Sequence, residues 1–156
     1  MGPTGSGKTT IGELLAAQMH WEFADADNFH SPANIEKMSR GIPLTDADRA
    51  PWLAAMRDAI VQWIADRANV VLACSALKNA YREELRAGPE VKVVYLKGSY
   101  ELFRQRILAR HGHFAGEGIL AGQFADLEEP ADAVTVDAAH TPEEIVAEIR
   151  TKLALA

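Results

Sequence analysis

Gly2-Pro3-Thr4-Gly5-Ser6-Gly7-Lys8-Thr9 completes the pattern G-x-x-x-x-G-K-[ST]. Glycines at these positions let consecutive backbone N–H groups curl around phosphate oxygens, the lysine reaches the terminal phosphates, and the hydroxyl ligates magnesium. The expected nucleotide grip is therefore Gly2, Thr4, Gly5, Ser6, Gly7, Lys8, Thr9 and Thr10 on the phosphates of ATP, with Thr9 also on Mg2+. A second set of candidates lies in Phe23-Ala24-Asp25-Ala26-Asp27-Asn28-Phe29-His30. Asp25 and Asp27 alternate, so both can line the carboxyl end of a strand expected beside the phosphate loop. One carboxylate there can bind magnesium, directly or through water, and another can orient or deprotonate an acceptor hydroxyl. The bland alternative is a pair of solvated turn residues.

The elements that must hold these groups follow from periodicity. Lys8 to Met19 reads as a helix with Ile11, Leu14, Leu15 and Met19 on one face. Trp21 to Ala24 reads as a short strand, and Ser31 caps a helix from Pro32 to Arg40 that Gly41 stops. A loop leads to a long amphipathic helix from about Ala50 to Arg67. Val70 to Cys74 and Val91 to Leu96 are apolar runs suited to buried strands, with a helix from Leu77 to Arg86 between them. Ser99 caps Tyr100 to Arg110, and 111–118 is glycine-rich and loop-like. Ile119 to Leu127 resumes a helix, Val134 to Val136 is the last strand, and Thr141-Pro142-Glu143-Glu144 is a capping box opening the terminal helix. This alternation predicts an α/β fold, a parallel sheet covered by helices on both faces in three layers. The central strand that normally delivers a phosphate loop is missing, because only Met1 precedes Gly2. The expectation is that the natural chain starts further upstream and that Met1 ends that strand, so a form extended by roughly a dozen genome-encoded residues should fold better.

Composition narrows the class. At 156 residues the chain is one domain's worth, 1–156. A net charge of -6, from 22 acidic and 16 basic residues, argues against sequence-independent nucleic-acid binding. Cys74 is the only cysteine, which excludes a disulfide framework or cysteine zinc cluster and suits the reducing cytoplasm; it reads as a small core residue. No apolar run has the length of a membrane span. The chain is too short for the elaborations of oligomeric ATPases, and no guanine-reading [NT]-K-x-D occurs. A kinase of small molecules remains, moving a phosphoryl group to a hydroxyl mainly by positioning and charge neutralisation.

The blocks 23–30, Asn34-Ile35-Glu36-Lys37-Met38-Ser39-Arg40-Gly41, Leu44 to Leu53, and Ala73-Cys74-Ser75-Ala76-Leu77-Lys78-Asn79-Ala80-Tyr81-Arg82 through Arg86 resemble the signature segments of the gluconate kinases. Gly112-His113-Phe114 and Gln123-Phe124-Ala125-Asp126-Leu127-Glu128-Glu129-Pro130 match as well, and the likeness runs to about Asp137. Gly122 stands where the family usually has Ser. The resemblance implies ATP-dependent phosphorylation of D-gluconate to 6-phosphogluconate on a P-loop kinase fold similar to shikimate and adenylate kinases, and a homodimer is usual for such relatives. Rival readings are a kinase of another hydroxy acid such as shikimate, and a nucleotide-binding module without turnover.

Within that resemblance Lys8, Asp27 and Arg110 are expected to be catalytic. Asp27 contacts the acceptor hydroxyl, and Asp25 serves the outer shell of the metal. Arg49 and Arg82 are the cations expected at the substrate carboxylate, against an alternative of surface salt bridges with Asp48 or Glu83. His30, Lys37, Ser75, Lys78, His113 and Gln123 complete the substrate-side set, with an ordinary exposed helix face as the alternative for Lys37 and helix capping for Ser75. Arg106 and Arg110 share a helix face leading into a lid at 111–118, with Arg106 directed at the nucleotide. A plain surface loop is the alternative there.

Overall fold

A computed structural model describes residues 1–111 and 115–156, with side chains for 1–110 and 118–156. The elements are α1 (Lys8–Met19), β1 (Glu22–Asp25), a 3-10 turn (Ala26–Phe29), α2 (Pro32–Ser39), α3 (Asp46–Ala65), β2 (Val70–Ala73), α4 (Asn79–Leu85), β3 (Val94–Lys97), α5 (Tyr100–His111), α6 (Ala115–Asp126), β4 (Val134–Asp137) and α7 (Pro142–Lys152). Local chemistry starts most helices. Ser31 accepts from the Asn34 N–H, Ser99 from Leu102, and Thr141 from Glu144, whose carboxylate returns to the Thr141 N–H.

The strands form two parallel pairs, β1 with β2 and β3 with β4. Met1 and Gly2 bridge them. The Met1 nitrogen donates to Val94 O, the Leu96 N–H donates to Met1 O at 3.0 Å, and the Gly2 N–H donates to Ser75 O at 3.2 Å. The main chain of these two residues thus lies between β2 and β3, and the order across the molecule is β1, β2, Met1–Gly2, β3, β4. Helices cover both faces. Val71 packs with Ile11, Leu15 and Leu96, whereas its neighbour Leu72 packs with Trp52, Leu53 and Met56 on the other side. Consecutive strand residues point to opposite faces, so the sheet is sandwiched as expected. A cavity of about 750 Å3, lined by Met1, Val71, Val94 and Leu153 together with charged side chains such as Arg82 and Glu90, lies between the strand pairs.

Several boundaries differ from the sequence reading for physical reasons. Helix α3 begins at Asp46 instead of Ala50, because Thr45 accepts from the Asp48 N–H while the Asp48 carboxylate accepts from the Thr45 N–H. This capping box outweighs Pro51, which sits within the helix. The apolar run 91–96 yields a strand only from Val94, and α4 starts at Asn79 rather than Leu77. Residues 115–118, expected in a glycine-rich loop, belong to α6. His113 and the centre of the expected lid, 112–114, lie outside the described residues. Among the described residues no helix is long and apolar enough to cross a membrane.

Candidate active site

The phosphate loop hangs from the Met1–Gly2 bridge and turns into α1. Gly7 precedes the helix at φ 97°, a left-handed geometry natural to glycine, and leaves the first N–H groups of α1 facing the loop. Gly5 lies against α5 so closely that a Cβ would come within 2.9 Å of Phe103 O. The Ser6 hydroxyl is buried without a hydrogen-bond partner, an unmet polar group inside the cradle. Lys8 Nζ donates to Pro3 O at 3.0 Å, so its ammonium curls over the same turn. Burial pushes the Lys8 pKa down; Arg110 acts in the same direction, while Cys74, Asp27 and Asp25 act against it. The Cys74 thiol is pushed by burial up to about 11, so it is neutral at ordinary pH and carries no charge for Lys8. Asp27, Asp25 and Arg110 are therefore the groups that share the field of this lysine.

Asp25 ends β1 and its carboxylate accepts from the Asp27 N–H at 2.9 Å, which places Asp27 in the 3-10 turn and not on the strand. The expectation that the two alternate along one strand is corrected accordingly. Their strand is also one removed from the loop, because β2 intervenes. The 3-10 turn is fixed from below by Trp52, whose Nε1 donates to Ala26 O at 2.8 Å. His30 stacks on that indole at 4.4 Å, and burial lowers its pKa while Asp27 raises it and Arg49 lowers it. His30 thus stands within electrostatic reach of both Asp27 and Arg49.

A group of charges gathers where α3 and α4 begin. Arg49 Nη1 lies 3.7 Å and Lys78 Nζ 3.5 Å from Asp46 Oδ1, and the Tyr81 hydroxyl donates to the same oxygen at 2.5 Å. Arg49 also donates to the Tyr81 oxygen at 3.2 Å. Neither Tyr81 nor Asp46 stands out in the sequence. A Tyr in the first turn of a short helix and an Asp in the first turn of a long one are ordinary at those places.

The remaining candidates separate. Arg82 is only 2 % exposed: Nη1 donates to Ala76 O and Leu77 O, and Nη2 to Glu128 O. Its guanidinium pins the segment after β2 to the segment after α6. Glu128 returns the tie, its carboxylate accepting from the Asn79 N–H and its own N–H donating to Leu77 O. Lys37 is bound to the Asp48 carboxylate at 2.9 Å. Arg106 donates to Ala138 O past the end of β4. Arg110 is exposed, near enough to depress Lys8. Ser75 offers its carbonyl to Gly2. Gln123 does not stand on the acceptor side alone: its Oε1 accepts from the Thr4 N–H at 2.6 Å, a direct contact between α6 and the phosphate loop.

Among the described residues no group of three or more His, Cys, Asp or Glu side chains could hold a metal by itself. The fit is to a cation shared with phosphates, as magnesium is commonly bound, with the exposed Thr9 hydroxyl and Asp25 nearby.

Comparison with known proteins agrees with this arrangement. The family model for shikimate kinase matches residues 4–154. A probable gluconokinase of Rattus norvegicus is 44% identical over 150 residues, covering 84% of this chain and 81% of the relative. The thermoresistant gluconokinase of Escherichia coli is 41% identical over 152 residues, covering 94% and 87%. The crystal structure of a gluconokinase from Sinorhizobium meliloti superposes with a TM-score of 0.88 at 43% identity, covering 99% of this chain and 89% of that one. A cradle with an unmet hydroxyl, a buried lysine whose charge two aspartates favour, and these similarities over most of the chain lead to one assignment: the chain belongs to the shikimate kinase family of P-loop kinases and, within it, to the gluconokinases.

Proposed function

We propose that the chain transfers the terminal phosphoryl group of ATP to the primary alcohol of D-gluconate, forming 6-phosphogluconate and ADP. The observation that supports this reading is the buried Lys8 folded over the turn of the phosphate loop, its Nζ 3.0 Å from Pro3 O, with Asp27, Asp25 and Arg110 close enough to act on its charge. The choice of acceptor is supported by the gluconokinase names of relatives at 41–45% identity.

In this reaction the acceptor oxygen bonds to phosphorus, the bond from phosphorus to the departing ADP oxygen breaks, and the alcohol proton leaves the acceptor. Asp27 orients that alcohol and takes its proton; because the transition state is loose, orientation is the larger share of its work. Lys8 and Arg110 balance the negative charge that collects on the transferring and departing oxygens. Thr9, with Asp25 through water, would hold a magnesium ion that supplies further positive charge to the phosphates. Arg82 and Glu128 act one layer back, keeping the segment that carries Lys78 in place. A cytoplasmic setting goes with this reading, since the buried Cys74 is a free thiol.

The test is ADP release with a panel of acceptors that includes gluconate and shikimate. Gluconate should be preferred by at least about tenfold in kcat/KM. A preference for shikimate, or nucleotide binding without acceptor-dependent ADP release, would overturn the proposal.

A further inference from the structure

Left-handed backbone at residues other than glycine occurs at four described positions, and one of them differs from the rest. His20, Arg67 and Ala154 are exposed, and each stands just past the end of a helix, α1, α3 or α7, where such a turn commonly closes the last carbonyls. Ala76, at φ 45°, follows strand β2 instead and is only 6% exposed, within the core cluster that holds Trp52, Leu53 and Met56. An L-residue in this region sets its Cβ against the following carbonyl oxygen, so the conformation persists only where the surroundings impose it.

The surroundings that impose it lie on both flanks. Before Ala76, the Ser75 carbonyl accepts from the Gly2 N–H at 3.2 Å, at the root of the phosphate loop. After it, the Ala76 carbonyl accepts from Arg82 Nη1 at 2.8 Å. The Leu77 carbonyl accepts from the same nitrogen at 3.0 Å and from the Glu128 N–H at 2.9 Å, while Arg82 Nη2 donates to Glu128 O at 2.7 Å. The two peptide units that meet at Ala76 are thus each anchored, and because each is planar, anchoring both fixes the φ and ψ between them. The guanidinium is buried at a cost to do this: its hydrogen bonds go to backbone carbonyls, and its Nε has no partner among the described residues.

We propose that Ala76 is a strained corner that seats the Ser75 carbonyl on the root of the phosphate loop, and that Arg82 is the positioning residue that keeps this corner left-handed. The inference rests on the functional reading above, and it gives Arg82 a role through the loop in place of contact with the substrate carboxylate. Without the guanidinium, Ala76 relaxes to negative φ, the peptide unit before it turns, and the Ser75 carbonyl leaves Gly2. The phosphate loop then loses the tie at its first residue, while the acceptor keeps its own contacts. Ala76→Gly removes the steric penalty of the corner, so the turn no longer needs Arg82 to hold it.

The experiment compares the native protein with Arg82→Met, Ala76→Gly and the double variant, measuring kcat, KM for gluconate and melting temperature, with rates taken well below each melting transition. Arg82→Met should lower kcat by at least about tenfold while KM for gluconate stays within about threefold. Ala76→Gly alone should leave kcat within about twofold, and combined with Arg82→Met it should bring kcat back to within about threefold of the native value. A tie that only stabilises the fold would lower the melting temperature of Arg82→Met and leave kcat unchanged, which overturns the proposal. So does a loss of kcat that Ala76→Gly does not recover, or a rise of about tenfold or more in gluconate KM, the mark of an arginine that binds the substrate. If Arg82→Met does not fold, Arg82→Lys takes its place under the same expectations, since an ammonium lacks the planar fork. If the native protein makes no ADP with gluconate, it is the functional reading that fails, and crystal structures of the same variants judge the corner alone. A negative φ at Ala76 with the Gly2–Ser75 bond lost in the single Arg82 variant, and the bond restored in the double variant, sustains the proposal; a corner unchanged in the single variant overturns it.

Discussion

Lys8 is a cation in a place that disfavours cations. Burial depresses its pKa, and the anionic tail of a nucleotide is the partner that relieves the penalty. A basic group with a depressed native pKa costs stability while it is protonated, and that cost fades as pH climbs toward its ordinary 10.5. Lys8→Met should therefore abolish ADP formation while raising the melting temperature of the protein without nucleotide, and a melt at pH 7 with an activity assay checks both. Asp27 is the complementary case. Asp27→Asn keeps shape and hydrogen-bonding reach but loses the negative charge, so kcat should fall by about 10²- to 10³-fold with the nucleotide dissociation constant within about twofold. Nucleotide titration beside single-turnover kinetics separates the two effects. An unchanged kcat would remove Asp27 from the chemistry.

At the scale of elements, the start of α3 is the joint on which the acceptor side depends. The Thr45–Asp48 capping box sets where the helix begins, Lys37 of α2 clamps the Asp48 carboxylate, and the Asn34 amide donates to Asp48 O at 2.8 Å. Hydrogen bonds from the Thr45 backbone first, and from Lys37 next, hold Asp48 at about 2, below its ordinary 3.8. A depressed carboxylate contributes stability that is complete above its ordinary value and is lost as pH falls toward the native one, so the capping contribution should fade between about pH 4 and pH 2. Thr45→Ala should cost about 1 kcal/mol at neutral pH by denaturant unfolding. Asp48→Asn should flatten the acid limb of the stability profile. This joint also marks the limit of what could be read from sequence. Helix α1 was legible from its apolar period behind the glycine-rich loop, and the starts of α2 and α7 because a capping hydroxyl and a proline at the first turn agree there. Thr45-Asp46-Ala47-Asp48 carries the spacing of a capping box but no strong apolar residue to set a period, so the start of α3 was read four residues late. Arg82 was legible as a charge but not as a tie, because its three carbonyl partners come from segments that meet only after folding. Tyr81 and Asp46 lie within the resembling blocks but had no role assigned to them, since their meeting at one oxygen depends on the packing of α3 against α4.

Across the whole molecule, four strands in two pairs are joined through the main chain of Met1 and Gly2. The parallel order and the two helical layers were legible from alternating apolar runs and amphipathic segments, whereas the bridge depends on long-range pairing that no local pattern encodes. Between the pairs lies the cavity of about 750 Å3, whose walls, Val94 among them, are more tolerant of added bulk than the tight region around Phe103. Val94→Ile should raise stability, by up to about 0.8 kcal/mol for one buried methylene. Adding volume against the close-packed Phe103, as in Gly98→Ala, should lower it, because a Cβ there would come within 2.6 Å of the ring. Thermal melts of the two variants check this contrast, and a loss in both would mean that the cavity walls are as rigid as the core.

The bridge is also the root of the phosphate loop, so the stretch of backbone that fastens the strand pairs to each other runs directly into the loop proposed to hold the nucleotide. Anything that stiffens the grip tightens the seam, and by thermodynamic reciprocity anything that loosens the seam slackens the grip. If the loop binds nucleotide as proposed, damage at the seam should be felt at the grip, and damage at the grip should be felt at the seam.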